Sequence, residues 1–308
     1  MSLFVKKEGC TVARIDETAC ARLCLLTRAA LSEDTPLLTR AQVSRMLACG
    51  ALSGLVLREV PGMPREVLTR ARALLSRVRA VYDCMRVYEE SGYRLITPEH
   101  PLWPKSLLAL GERMPLFLFC WGNDALLDSP RLSVAGSRRI LPETRRAAEQ
   151  TGRQIAREGY VLVSGGATGV DSAAQRAALM AGGGAILVPA LPAARLLQDA
   201  AVRAAVTEER ALILCDALPD EPFSAPKALG RNHTIYALGR AALVVAAREG
   251  RGGSWHGATD CLRGGYAPVY VWDGDNEDTA GNCALLALGA RPYALSGRET
   301  LSEQLGLL

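Results

Sequence analysis

Residues Val161-Leu162-Val163-Ser164-Gly165-Gly166-Ala167-Thr168-Gly169-Val170-Asp171 set a β-favouring run against a glycine turn, and an alanine-rich segment with helical spacing (172–181) follows. A strand, a turn free of bulky side chains and a helix start together form a phosphate-sized nest of backbone N–H groups. The turn reads Ser-x-Gly-x-x-Gly at Ser164, Gly166 and Gly169, one glycine short of the dinucleotide-binding fingerprint. The next strand, 185–188, runs into Pro189-Ala190 with no acid placed to hold a ribose hydroxyl. These features argue against a nicotinamide or flavin, and no cofactor is expected. An anion pocket is.

The same alternation extends outward from that turn. Strands are expected at 131–135, 160–164, 185–188, 211–214, 241–246 and 268–272, and helices at 142–158, 172–181, 192–206, 232–239 and 256–264. Strands that are apolar throughout and alternate with helices imply a parallel sheet covered on both faces, hence an α/β, Rossmann-like doubly wound, mostly parallel sheet. Upstream the periodicity predicts helices at 17–31, at 39–49 with Thr39 as N-cap, and at 65–90. The expected organisation is a small all-helical N-terminal domain over 1–90 and a core domain over 91–308. The third helix carries Arg65, Arg70, Arg72, Arg77, Arg79 and Arg86, which read more simply as a solvated face than as a nucleic-acid surface.

With 49% hydrophobic and 22% charged residues over 308 positions, the chain is a folded globular protein rather than a disordered one. Its 36 cations against 32 acids give a net charge of +4, so any basic footprint must be local. Nine scattered cysteines without a Cys-x-x-Cys spacing indicate reduced thiols rather than a disulfide framework or a zinc site. The amino terminus, Met1 to Glu8, lacks the apolar stretch of a secretion signal, and no later run is long and apolar enough to span a bilayer. A cytoplasmic protein without membrane contact is expected.

Several strand ends converge on one sheet edge. The first brings Gly136, Ser137 and Arg138; the second brings Ser164, Gly165 and Gly166. A later loop brings Lys227, Arg231 and Asn232, and the next brings Gly253 and Ser254. Small residues let amides approach an oxyanion, and the arginines and lysine supply charge. A triphosphate loop, a carboxylate cluster for a metal, and a nucleophile beside a general base are all missing from the pattern. Asp171, at a helix start, is expected to accept backbone amides.

The ordered set Gly136-Ser137-Arg138, Ser164-Gly165-Gly166-Ala167-x-Gly169-Val170-Asp171, Gly182-Gly183, Arg231-Asn232-x-x-Ile235, Gly253-Ser254 and Gly281-Asn282-x-x-Leu285-Leu286 resembles the DNA-processing protein A (DprA, or Smf) family over about residues 93–295. The resemblance implies non-enzymatic binding of single-stranded DNA, a role in DNA uptake, natural transformation and recombination, RecA recombinase as a partner, and a homodimer. It also implies that residues 136–138, 165, 166, 231 and 232 cradle backbone phosphate. The helices before residue 90 are similar in kind to the family's sterile-alpha-motif-like domain, and the winged helix that many members carry is not expected.

The chain departs from the family pattern at several positions. Thr168 replaces a basic residue, Gln175 and His233 replace a histidine and an arginine, and Ala228 stands where a base-stacking aromatic is usual. Each loss is expected to weaken DNA binding. Two other functions stay open: a module that holds a nucleotide or small phosphorylated ligand, and an enzyme that cleaves a nucleotide's glycosidic bond. The second lacks a glutamate near the glycine turn.

Overall fold

Apolar strands and amphipathic helices alternate from residue 131 onward, and in the computed structural model they wind into one sheet. The structure describes residues 17–31, 35–295 and 299–307; Cys10 and the amino-terminal segment lie outside them. In chain order the elements are α1 (Glu17–Leu26), α2 (Arg40–Ala48), β1 (Leu52–Ser53), β2 (Val56–Leu57), α3 (Arg65–Leu75), α4 (Val78–Glu90), β3 (Arg94–Ile96), β4 (Leu118–Gly122) and β5 (Arg131–Gly136). There follow α5 (Pro142–Arg157), β6 (Val161–Ser164), α6 (Val170–Met180), β7 (Ala185–Leu187), α7 (Ala200–Thr207), β8 (Ala211–Cys215), α8 (Ala225–Leu238), β9 (Ala242–Ala246), α9 (Gly252–Gly264), β10 (Val269–Trp272), α10 (Ala280–Ala287), β11 (Arg291–Tyr293) and α11 (Leu301–Gln304). Among the described residues no helix is long and apolar enough to cross a membrane.

The main sheet has the order β11-β10-β9-β5-β6-β7-β8-β4-β3. It is parallel from β11 to β8, with β4 antiparallel to β8 and β3 antiparallel to β4 at one edge. This is the doubly wound α/β architecture expected from the alternation. Leu132, Val134, Leu162, Leu243 and Val245 face α5, α6 and α11. Their strand neighbours Val161, Val163, Ile186 and Leu212 face Ile235 and Leu238 of α8 on the other side. Fully burying each such side chain contributes about 1.5–3 kcal/mol.

The helices ahead of the sheet share a cluster with its edge: Leu23, Val43, Leu74, Val81 and Met85 pack together with Phe117, Phe119, Ile213 and Cys215. Tyr88 stands edge-on to Phe119 at 5.4 Å, and its hydroxyl donates to Asp220. Thr39 caps α2 as expected, accepting the Gln42 N–H at 3.2 Å. Two helix expectations ahead of the sheet need correction. The 65–90 stretch breaks at Ser76-Arg77, and the first helix stops at Leu26 rather than 31. One residue accounts for both. The Arg77 guanidinium turns inward and donates to the carbonyls of Cys24, Thr27 and Ala29, which the end of α1 leaves without helical partners.

Arg22, 2% exposed, pairs with Glu99, its Nη1 lying 2.6 Å from Oε2. The arginine's hydrogen bonds hold the Glu99 carboxyl down at about 2. A depressed acid stabilises the fold above its ordinary unfolded pKa and loses that contribution as pH falls through the folded value. The acid limb of a thermal-midpoint profile is therefore expected to drop between the normal glutamate range and about pH 2. Glu99→Gln should flatten that limb, and an unchanged limb in the variant would remove Glu99 from the acid response.

Candidate phosphate-binding site

β6 and β9 flank β5 on opposite sides, so the winding reverses between β5 and β9 and leaves a crevice at their carboxyl ends. The β5–β9 register slips between Ala135 and Gly136, which opens that end further. Ser137 bridges it: its N–H donates to the Ala246 carbonyl at 2.9 Å, and its carbonyl accepts from the Val170 N–H at 3.2 Å. The close approach depends on Gly169, whose φ is +89° and whose missing Cβ would strike the carbonyls of Ser137 and Arg138. Arg138 emerges from this junction into solvent.

The glycine turn after β6 already surrounds an anion of the protein's own. The N–H groups of Gly165 and Ala167 and the Ser164 hydroxyl are turned toward the Asp171 carboxylate and favour its charged form. Burial pushes the Asp171 pKa up, opposed by the charge of Arg231. That guanidinium lies against Gly165, where any Cβ would overlap it, and its Nη1 donates to the Val188 carbonyl at 2.8 Å. Arg231 is only 5% exposed. Burial lowers its pKa, the carboxylates of Asp171 and Asp216 oppose the fall, and the charge of Arg138 adds to it. The two arginines thus lie near enough to feel each other's charge, Arg138 exposed and Arg231 buried. Asp216 in turn accepts from the Thr234 hydroxyl at 3.1 Å and pairs with Arg40 of α2 at 3.5 Å. Charge alternates along this chain: Asp171, Arg231, Asp216, Arg40.

Lys227 and Arg231 sit in a helix, not in the expected loop, and the helix expected from 232 begins seven residues earlier. α8 starts at Ala225, capped by Ser224, whose hydroxyl accepts the Lys227 N–H at 3.3 Å. Pro226 falls in the first turn, where its missing N–H is not needed, and Gly230 costs about 1 kcal/mol relative to alanine inside the helix. Both read as breakers in the sequence. Lys227 and Arg231 are consequently one turn apart on a shared face, with Lys227 Nζ donating to the Glu221 carbonyl at 3.0 Å. Asn232 is mid-helix, and its amide donates to the Gly253 carbonyl at 3.0 Å. Gly253 and Ser254 likewise belong to the first turn of α9, which opens at Gly252 instead of 256. The free N–H groups of that turn face the same edge.

The structure therefore brings Gly136, Ser137, Arg138, Ser164, Gly165, Gly166, Arg231, Asn232, Gly253 and Ser254 around one crevice, with Lys227 a turn further out. Three contributors were missed. Asp216 and Arg40 carry no local motif. Phe223, 47% exposed just before α8, is an aromatic five positions ahead of Ala228. The Gly281-Asn282 motif proves to be a brace. The Asn282 side chain accepts from the Ala247 N–H and donates to the carbonyls of Val245 and Trp272, each at 3.0 Å, which fixes the exit of β9. Trp255 packs over the sheet among Ala242, Val244 and Ala258.

Residues 94–305 match the family model of the DNA recombination-mediator protein A. A DNA processing protein DprA of Mycobacterium tuberculosis is 29% identical over 258 residues, covering 77% of this chain and 59% of the relative. The chain thus spans about three fifths of that curated relative's length. The crystal structure of DprA from Streptococcus pneumoniae superposes with a TM-score of 0.71 at 24% identity, over 95% of this chain and 99% of the other, a likeness of fold. A structure concerned with the single-stranded DNA binding mode of Helicobacter pylori DprA gives a TM-score of 0.53 at 26% identity, over 65% of this chain and 90% of that one. With the family model matched over more than two thirds of its length, this chain belongs to the DNA recombination-mediator protein A family.

Proposed function

We propose that this protein binds single-stranded DNA without chemically altering it, gripping the backbone at the β5/β9 crevice. The observation that carries the reading is the pairing of a solvent-facing Arg138 with glycine-rich loops at the point where the sheet's winding reverses. Arginine suits a phosphate because its planar fork matches two oxygens, and small loop residues admit a polyanion's backbone without reading its bases. Phe223, exposed just before α8, is an aromatic on which a base can stack. Binding without turnover is supported by the state of the two acids at the site: Asp171 and Asp216 are buried against arginines and are already engaged. A role in DNA uptake and recombination, with RecA as partner and a homodimer as the working form, completes the proposal; co-sedimentation with RecA and analytical ultracentrifugation test those two parts.

Labelled oligo-dT titrated at about 50 and 200 mM salt is expected to bind with micromolar or tighter affinity and to weaken steeply at the higher salt. Failure to bind at low salt would defeat the proposal. A nucleotide or small phosphorylated ligand is the second reading, favoured by the burial of Arg231, which leaves fewer cations for a long polyanion. A thermal shift produced by mononucleotides in a protein that does not bind oligo-dT would select it.

A further inference from the structure

The amino-terminal helices and the sheet do not close completely on one another. Between the end of α1, the start of α2, the approach to β4, the exit of β8 and the first turns of α8 lies a cavity of about 280 Å³. We propose that it binds a free α-amino acid with an apolar side chain. This is a different ligand from the DNA proposed above, and either site can fail without the other.

Place and size are the first reasons. Small-molecule sites favour the seams between packed units. The volume falls just below the roughly 300–1,000 Å³ of pockets for drug-sized ligands, which fits a compact molecule rather than a nucleotide. Chemistry is the second. Leu38, Leu116 and Phe117, each no more than 5% exposed, form an apolar wall with Leu26 beside them. An aliphatic or aromatic side chain laid against it is removed from water. Around that wall stand two cations, Arg40 and Lys227, and two acids, Asp216 and Glu221.

All four keep bonding capacity. Arg40 Nη1 donates to the Arg113 carbonyl at 3.1 Å, but Nη2 reaches Asp216 only at 3.4 Å to its carbonyl and 3.5 Å to Oδ2, long for charge-assisted hydrogen bonds. Lys227 Nζ carries three donors and places one, on the Glu221 carbonyl at 3.0 Å. Asp216 is 6% exposed, and Thr234 and Arg40 both engage its Oδ2, so among the described residues Oδ1 has no hydrogen bond. Among the same residues the Glu221 carboxylate has no partner. A ligand of single charge would pair with one set and desolvate the other without pairing it. A zwitterion meets both, its carboxylate toward Arg40 and Lys227, its ammonium toward Asp216 Oδ1 and Glu221, its side chain on the apolar wall.

Calorimetric and thermal-shift titrations of the full chain test the site. The probes are L-leucine and L-phenylalanine, beside 4-methylpentanoate (leucine without its ammonium) and 3-methylbutylamine (leucine without its carboxylate). At a hundred times its Kd, at least one amino acid is expected to raise the thermal midpoint by about 3–5 °C. It should bind about tenfold more tightly than either single-charge analogue. Gly230 borders the cavity, and a Cβ there meets nothing within 4 Å. Gly230→Leu therefore fills the space while favouring the helix; it should keep or raise the midpoint of the free protein and abolish the shift. Glu221→Gln should weaken amino-acid binding by about threefold or more. No shift with either amino acid, equal binding of a single-charge analogue, a shift that survives Gly230→Leu, or undiminished binding by Glu221→Gln overturns the site. These titrations contain no DNA, so none of those outcomes bears on the crevice.

Discussion

Replacing Arg231 by methionine is expected to destabilise the fold by about 3–5 kcal/mol, because it removes one partner of a buried charge pair and leaves the other uncompensated. Asp171 and Asp216 both face that guanidinium and both are buried, and Asp216 would keep only Thr234 and its 3.5 Å contact to Arg40. The pH dependence identifies the cause. Burial already raises the Asp171 pKa, and loss of the arginine should raise it further. An acid whose folded pKa exceeds its unfolded one destabilises the native state above that folded value, and the penalty fades as pH falls toward the unfolded value. The urea midpoint of Arg231→Met should therefore approach that of the parent protein in mild acid. Arg231→Lys, which keeps the charge but not the fork, should lose less. A variant that unfolds equally early at every pH would show that lost packing, rather than the stranded carboxylates, is responsible.

Arg138→Ala is expected to act in the opposite way, leaving the midpoint alone and damaging the interaction with DNA. Its side chain is exposed, and the residue's backbone, not its guanidinium, packs on Gly169. Charge-assisted hydrogen bonds contribute about 1.5–3 kcal/mol, so the Kd for oligo-dT should rise tenfold or more. The slope of log affinity against log salt should shrink by about 0.7, the value for one phosphate contact on a single strand. A reduced affinity with an unaltered slope would place Arg138 outside the phosphate path. Taken together, the two substitutions separate a cation that builds the site from one that meets the ligand.

The sequence made the sheet legible because its central strands are buried on both faces. Runs such as Val161-Leu162-Val163 are apolar without alternation, and little else in a soluble chain looks like that. The edges were harder to read. Leu118-Phe119-Cys120 is too short to distinguish a strand from a buried helical turn until β8 pairs with it. Pro226 and Gly230 hid the start of α8, because a residue that usually ends a helix is tolerated near its beginning. Arg77 and Arg231 illustrate a deeper limit. Sequence gives the charge of an arginine but not its depth, and depth is decided here by carbonyls and carboxylates contributed from distant segments. Gly136, Ser137 and Arg138, by contrast, were legible because a strand end followed by small residues and one cation is a local pattern.

Arg40 and Asp216 are 176 residues apart in the chain, yet through Arg231 they belong to the same series of opposite charges as Asp171. Those four positions can drift only as a set: an exchange at Arg40, partly open to water, is forgiving, while one at Asp171 or Arg231 demands a matching exchange opposite it. A surface loop thereby inherits its shape from side chains hidden beneath it. Relatives could alter what the loop touches while the linked quartet stays as it is.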